Sequence, residues 1–296
     1  MKKLGVIALG GLLCTTTALA DEEINERRAA DPTGLVEVYN LAGDLEITGW
    51  DKAEVWVSGY LSEDAERLLF EVNGKVTRIK VIYPKETSGE IEETDLEIYV
   101  PEGSRLEVDA VSADIEVANI KGKQHLGTVS GDIETVAYEN DVFAKTISGD
   151  IDISGHEMPT VITADTISGD ATLIGISGQV ESHTISGDIE LISRTITRAR
   201  LEAKSGDIEV RLELTESGSL DADTINGDIE LYFSGDINAT FDAKTFTGDI
   251  ETNFGPGAER TSKYMPGQEL RFSVGTGSAQ VRLETLNGSI EILRAE

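Results

Sequence analysis

The triplet Gly-Asp-Ile returns along this chain at a spacing that one coil of a β-solenoid would occupy. Its Asp falls at Asp114, Asp132, Asp150, Asp170, Asp188, Asp207, Asp228 and Asp249, with Ala113 replacing the Gly of the first copy and Ala171 the Ile after Asp170. The intervals are 18, 18, 20, 18, 19, 21 and 21 residues. A unit this short cannot bury its apolar face alone, so neighbouring units must stack into one continuous core. The spacing predicts an all-β chain, a parallel β-helix-like solenoid of stacked 18–21-residue coils.

A change of phase locates the corner of each coil. In Leu220-Asp221-Ala222-Asp223-Thr224 the apolar or small residues are even-numbered, whereas past Gly227-Asp228 the apolar Ile229, Leu231 and Phe233 are odd-numbered. Strand side chains alternate strictly, so keeping one face inside requires a turn or bulge between the two runs. The same shift separates Val142 and Ala144 from Ile151 and Ile153. The stretch Lys204-Ser205-Gly206-Asp207 reads as shorter and without the shift, which predicts a locally different coil.

Two residues after each repeat Asp stands a second acid: Glu116, Glu134, Asp152, Glu190, Glu209, Glu230 and Glu251, with Thr172 the exception. Residues two apart share a strand face, so stacking would place Asp over Asp and acid over acid at about 4.8 Å. Like charges at that distance repel by roughly 0.5–1 kcal/mol per pair in water. Two means of offsetting this are open. Ca²⁺ could bind between rungs, with Asp132, Glu134, Asp150, Asp152, Asp188 and Glu190 as candidate ligands. Alternatively, backbone amides at the Ser-Gly-Asp corner could receive the Asp side chain in a local turn. The calcium-binding nonapeptide Gly-Gly-x-Gly-x-Asp is absent, which favours the turn and no cofactor.

The chain carries 25 Lys and Arg against 55 Asp and Glu, a formal net charge of −30. This makes nucleic acid an unsuitable partner and opposes binding to anionic lipid. Against that background Arg194, Arg198, Arg200 and Lys204 fall within eleven residues. They are read either as neutralising adjacent acids or as a patch for an anionic glycan or an envelope protein. Arg260, Lys263 and Tyr264 offer a second candidate contact surface, on a loop expected at about 251–271. The histidines His125, His156 and His183 lack metal-ligand spacing, and no Phe, Trp or Tyr occurs between Ala144 and Leu231 to form a sugar platform there.

Residues 1–20 read as a secretory signal peptide: Lys2 and Lys3, an apolar run from Leu4 to Leu13, then Ala18-Leu19-Ala20 before Asp21. The run is too short to span a bilayer, and no later stretch is long and apolar enough for a transmembrane segment. Cys14 is the sole cysteine, so stability must come from burial and a long hydrogen-bond ladder rather than disulfides. Residues 21–110 alternate as strands without the strict repeat and are expected to cap one open edge. Within them Gly43-Asp44-Leu45 resembles a degenerate copy, and 62–70 fits a short helix with Ala65, Leu68 and Leu69 on one face. Residues 111–296 would form the solenoid, its last copy at Asn287-Gly288-Ser289-Ile290 and its charged end blunting the other edge.

Repeated Thr-Ile-Ser-Gly-Asp-Ile behind a signal peptide resembles the DUF4097-type bacterial "putative adhesin" β-strand repeat family. The resemblance is carried by Thr146–Ile151, Thr166–Asp170, Thr184–Ile189 and Thr224–Ile229, and by the closing Gly275-Thr276-Gly277. It covers most of residues 35–296 and implies an exported, non-enzymatic β-solenoid without catalytic residues to carry over. The resulting expectation is an adhesin-like binding or structural module of the cell envelope, in the periplasm or at the cell surface. A periplasmic accessory of an envelope-stress signalling system and a β-helix carbohydrate-active enzyme are the alternatives. Acid pairs here follow the repeat, whereas a catalytic pair would depart from it.

Overall fold

The computed structural model describes residues 22–84, 91–262 and 266–294, so the signal-peptide reading of residues 1–20 lies outside the described residues. The repeats form parallel, in-register coils, each contributing one strand before the Ser-Gly-Asp corner and one after it. After the corner, Leu45, Ile115, Ile133, Ile151, Ala171, Ile189, Ile208, Ile229, Ile290 and Ile250 stack as one column. Before it, Val108, Leu126, Ala144, Ala164, Ser182, Leu201, Ala222, Leu283 and Ala243 do the same. All are buried. The ten rungs make a stack roughly 45 Å long.

Three inter-coil contacts make the corner. The Thr one turn of the pleat before it points inward and donates its hydroxyl to the Gly carbonyl of the preceding coil, as Thr146 does to Gly131, Thr184 to Gly169 and Thr224 to Gly206. The Gly lies close against the coil before it: a Cβ on Gly187, at φ +152°, would come 2.0 Å from the Gly169 carbonyl oxygen. The Asp carboxylate then accepts the amide of the corresponding residue one coil on, Asp150 N to Asp132 Oδ1 at 2.8 Å and Asp207 N to Asp188 Oδ1 at 2.7 Å. The expected local Asx turn is therefore replaced by a bond between coils.

The coil at Lys204-Ser205-Gly206-Asp207 follows the common corner after all. Leu201 and Ala203 are buried before it and Ile208 and Val210 after it, so the phase does shift. Ala203 takes the inward Thr position, and only the hydroxyl bond is lost. In the sequence, a methyl at the Thr position hides the motif.

Both ends depart from sequential stacking. At the N-terminal end Leu35–Trp50 is a full coil, paired in parallel with Arg105–Ala118 on one side. On the other it is covered by Val76–Ile82 and Asp95–Pro101. Antiparallel strands finish the end: Glu54–Leu61 on Asp95–Pro101, Glu22–Ala29 on Glu54–Leu61, and Arg67–Asn73 on Val76–Ile82. The helix expected at 62–70 does not form. Asn73 and Val76 instead close a hairpin around Gly74, at φ +64°, and pairing along seven residues outweighs three apolar residues of helical spacing.

At the C-terminal end the order is interleaved. The last coil, Ala279–Asn287 and Ile290–Arg294, enters between the coil of Leu214–Asn226 and that of Ala239–Thr247. Glu291 and Arg294 therefore do not blunt an edge; they lie on a strand paired on both sides, and residues 295–296 of the expected charged end lie outside the described residues. Nor is 251–271 simply a loop breaking the stack. Gln268–Ser273 within it and beyond pairs antiparallel with Ala239–Thr247, and Phe272 stacks on Phe241 at 4.6 Å. Burying Phe241, Phe254 and Phe272 together gives that segment a reason to fold back as the end cap.

Candidate interaction surfaces

The strands after the corner present an acidic face. Its first row is the corner Asp column, from Asp114 to Asp228, in which each carboxylate spends one oxygen on the next amide. Its second row runs in register through Glu97, Glu46, Glu116, Glu134, Asp152, Thr172, Glu190, Glu209, Glu230, Glu291 and Glu251. Among the described residues, Arg211 alone forms an ion pair with this row, to Glu209 at 2.5 Å. At the N-terminal end burial, with Asp95 and Asp114 alongside, holds the Asp44 carboxyl above the ordinary range. The metal candidates Asp132, Glu134, Asp150, Asp152, Asp188 and Glu190 all lie on this face, as two separate rows. Among the described residues no group of three or more His, Cys, Asp or Glu side chains is arranged to hold a metal ion.

The strands before the corner present a face of mixed charge. Arg200 binds Glu202 at 2.6 Å, Arg282 binds Glu284 at 2.9 Å, Lys244 reaches Glu284 at 3.2 Å, and His183 Nδ1 meets Asp165 at 2.8 Å. Hydrogen bonds from Arg200 and Arg282 hold the Glu202 and Glu284 carboxyls below their ordinary range. Between these two glutamates Asp223 experiences the reverse. Burial, followed by the charge of Asp221, pushes its carboxyl up to about 6.

These shifts set opposite pH dependences. Unfolded Asp223 ionises near 3.8, but the folded chain holds the proton to about 6, so stability falls as pH rises between those values and stays lower above. Glu202 and Glu284 contribute stability above about 4.5 that is lost as pH falls below it. Asp223→Asn is expected to raise the melting midpoint at pH 7.5 by roughly 2–4 °C, the scale of 1 kcal/mol in a chain of this size. The difference should shrink towards pH 4. Thermal melts across that range check it.

The basic candidates do not gather into one patch. Arg198 and Arg200 stand on the mixed-charge face, paired in register with Gln179 and Glu181. Lys204 is at the corner, 3.9 Å from Glu202, and Arg194 lies before the strand at Thr195, 3.7 Å from Glu157. Among the described residues Arg198 forms no ion pair. Arg260 is exposed in the short strand Glu259–Arg260, while Lys263 and Tyr264 lie outside the described residues. Eleven residues of extended chain reach across a whole face, so closeness in sequence does not become closeness in space.

A feature without a repeat signature stands on the N-terminal cap. Trp50, Tyr99 and Trp56 lie on neighbouring strands, with Tyr99 5.2 Å from Trp50 and 5.1 Å from Trp56 between centroids. Lys52 covers Trp50 at 4.2 Å and Arg27 covers Trp56 at 4.7 Å. Trp50 and Trp56 also approach to 6.4 Å, so the three rings form a compact cluster with a cation over each Trp rather than an open sugar platform.

Parallel coils presenting fixed outward rows define a class of fold, the β-solenoid scaffold. The chain belongs to the Toastrack DUF4097 family, whose sequence profile matches residues 43–293. Solved structures similar to it include a "putative adhesin" from Bacteroides fragilis, 10% identical, covering 91% of this chain and 96% of that one with a TM-score of 0.46. A "putative lipid binding protein" from Parabacteroides distasonis is 13% identical, covering 92% and 97% with a TM-score of 0.39. Comparison with curated proteins gives no match. No helix among the described residues is long and apolar enough to cross a membrane.

Proposed function

We propose that the chain is an exported, non-enzymatic, acidic solenoid that serves the bacterial cell envelope as an adhesin-like binding module. The acidic face carries this reading. Its two carboxylate rows run the length of the stack, and among the described residues a single ion pair offsets the second row. Such a field draws an oppositely charged partner surface along a whole side of the rod. The pattern of residues 1–20 supports export. Carboxylate pairs that recur at every rung, instead of one singular pair, support a non-enzymatic role.

Protease added to intact native cells, with a lysed control, tests the placement. Cleavage on intact cells is the expected result. Protection until lysis would make surface adhesion untenable.

A further inference from the structure

Large apolar side chains exposed on this molecule concentrate at one position of the coil, the residue between the inward Thr and the Ser of the corner. Of the twelve that stand out among the described residues, eight are there: Val111, Val129, Ile147, Ile167, Ile185, Ile225, Leu286 and Phe246, each 40–51% exposed. Register places them one above another. Val129 N and Ser130 N both bond the Val111 carbonyl, Ser148 N the Val129 carbonyl, Ser168 N that of Ile147, and Ser186 N that of Ile167. Beyond Ile185 the flanking pairs align Lys204, Ile225, Leu286 and Phe246 in turn. The result is an apolar ridge along the corner, nine rungs or about 40 Å long, broken once by Lys204.

The fold does not need this ridge to be apolar. Lys204 occupies the position while the ladder passes through unbroken, with Ala203 on Thr184 and Thr224, and Ser205 on Ser186 and Asn226. The bonds there are backbone bonds that any residue but proline makes. A continuous exposed apolar strip on a soluble surface marks a contact region.

The charge beside the ridge selects the occupant. Three residues downstream runs the Asp column, Asp114 to Asp228, and none of its seven carboxylates forms an ion pair among the described residues. Two residues upstream stand Asp109, Asp165, Glu202, Asp223 and Glu284, together with Lys145, His183, Lys244 and Gly127. A second copy would bring like charges together on either flank, and an anionic lipid surface would be repelled. We propose that the ridge receives a basic amphipathic helix of a partner protein, its apolar stripe on the ridge and its Lys or Arg margin on the Asp column. A helix repeats its contact face every 5.4 Å, close to the 4.8 Å rung, and about 25 residues would cover the ridge. This deepens the binding-module reading and rests on it.

The test is a titration of the folded protein with a synthetic 25-residue helix of Leu and Lys, beside a peptide of equal charge with Ser for Leu. Binding of the Leu peptide is expected to be weakened about tenfold or more by the triple variant Ile147→Thr, Ile167→Thr, Ile185→Thr. A thermal melt verifies that this variant folds. Lys204→Ile, which closes the gap, should tighten binding several-fold, and more than Lys204→Thr, which removes the same charge without filling it. Equal binding of the two peptides, no response to Lys204→Ile beyond that of Lys204→Thr, ridge-dependent dimerisation without peptide binding, or ridge-dependent capture by neutral phosphatidylcholine vesicles instead of the peptide would each overturn the proposal. The protease experiment on cells decides the broader reading separately, so the failure of either is distinguishable from the failure of the other.

Discussion

A chain ending at residue 278 is expected to lose its C-terminal third as a folded unit, although it lacks only the last coil. Ala279–Asn287 and Ile290–Arg294 are paired on both sides, so their removal strips a partner from Leu214–Asn226 and from Ala239–Thr247 at once. It also removes the buried Val281, Leu283, Ile290 and Ile292. Four such side chains are worth about 6–12 kcal/mol of burial, comparable with the whole stability of an ordinary domain. Hydrogen exchange should show residues 214–252 deprotected while 105–190 stays protected. Unchanged protection at 239–247 would mean that this coil had closed directly onto its predecessor, and would contradict the expectation.

Gly187→Ala, like the same change at the other corner glycines, should be among the most damaging single substitutions in the central stack. The added methyl would sit 2.0 Å from the Gly169 carbonyl oxygen and 2.5 Å from its carbon, both backbone atoms of a paired rung, at φ +152°. Neither the strained backbone nor the clash can be relieved without separating the coils, so a loss of about 3–5 kcal/mol is expected. Two residues earlier, Ile185→Thr should cost under about 1 kcal/mol, because that side chain is exposed. Chemical denaturation of both variants checks the contrast; similar midpoints would remove the packing explanation for the repeat's glycine. The first copy already shows the exception that fits: Ala113 lies inside the unbroken strand Arg105–Ala118 and has no positive φ.

Much of this architecture is legible in the residues because one rung dictates the next. The alternation of Ile229, Leu231 and Phe233, the phase shift at each corner and the stacking of Asp and Glu columns all follow from the period of a strand and the recurrence of Gly-Asp-Ile. What the Asp carboxylate binds is not legible, since a local amide and one on the next rung are equivalent until the coils are stacked. The corner Ile is equally ambiguous: between Thr and Ser it looks like a core residue, and only the turn decides that Thr goes in and Ile goes out. The interleaved end left one trace. Asn226-Gly227 and Asn287-Gly288 share an Asn where six other corners have Ser, and Asn287 Nδ2 donates to Asn226 Oδ1 at 2.9 Å. Distance along the chain, 61 residues, hid that these two are neighbours. The basic residues at 194–204 are drawn out along one strand, with Arg198 and Arg200 on its outer face, Arg194 before it and Lys204 at the corner, a spacing that nearness in sequence does not reveal.

The interleaving at the C-terminal end limits how such a chain can change in length. Between about residues 124 and 212 each coil touches only the one before and the one after it in sequence. A coil inserted or deleted there shifts everything beyond it as a block and leaves every other pairing intact. Past Leu214 a rung's neighbours come from distant parts of the chain, and before Arg105 the first coil is held on both faces by later strands. Duplication or loss of a repeat in either of those regions would separate partners instead of moving them together. Relatives that differ in repeat number should therefore differ in the middle, with both ends retained as clasps.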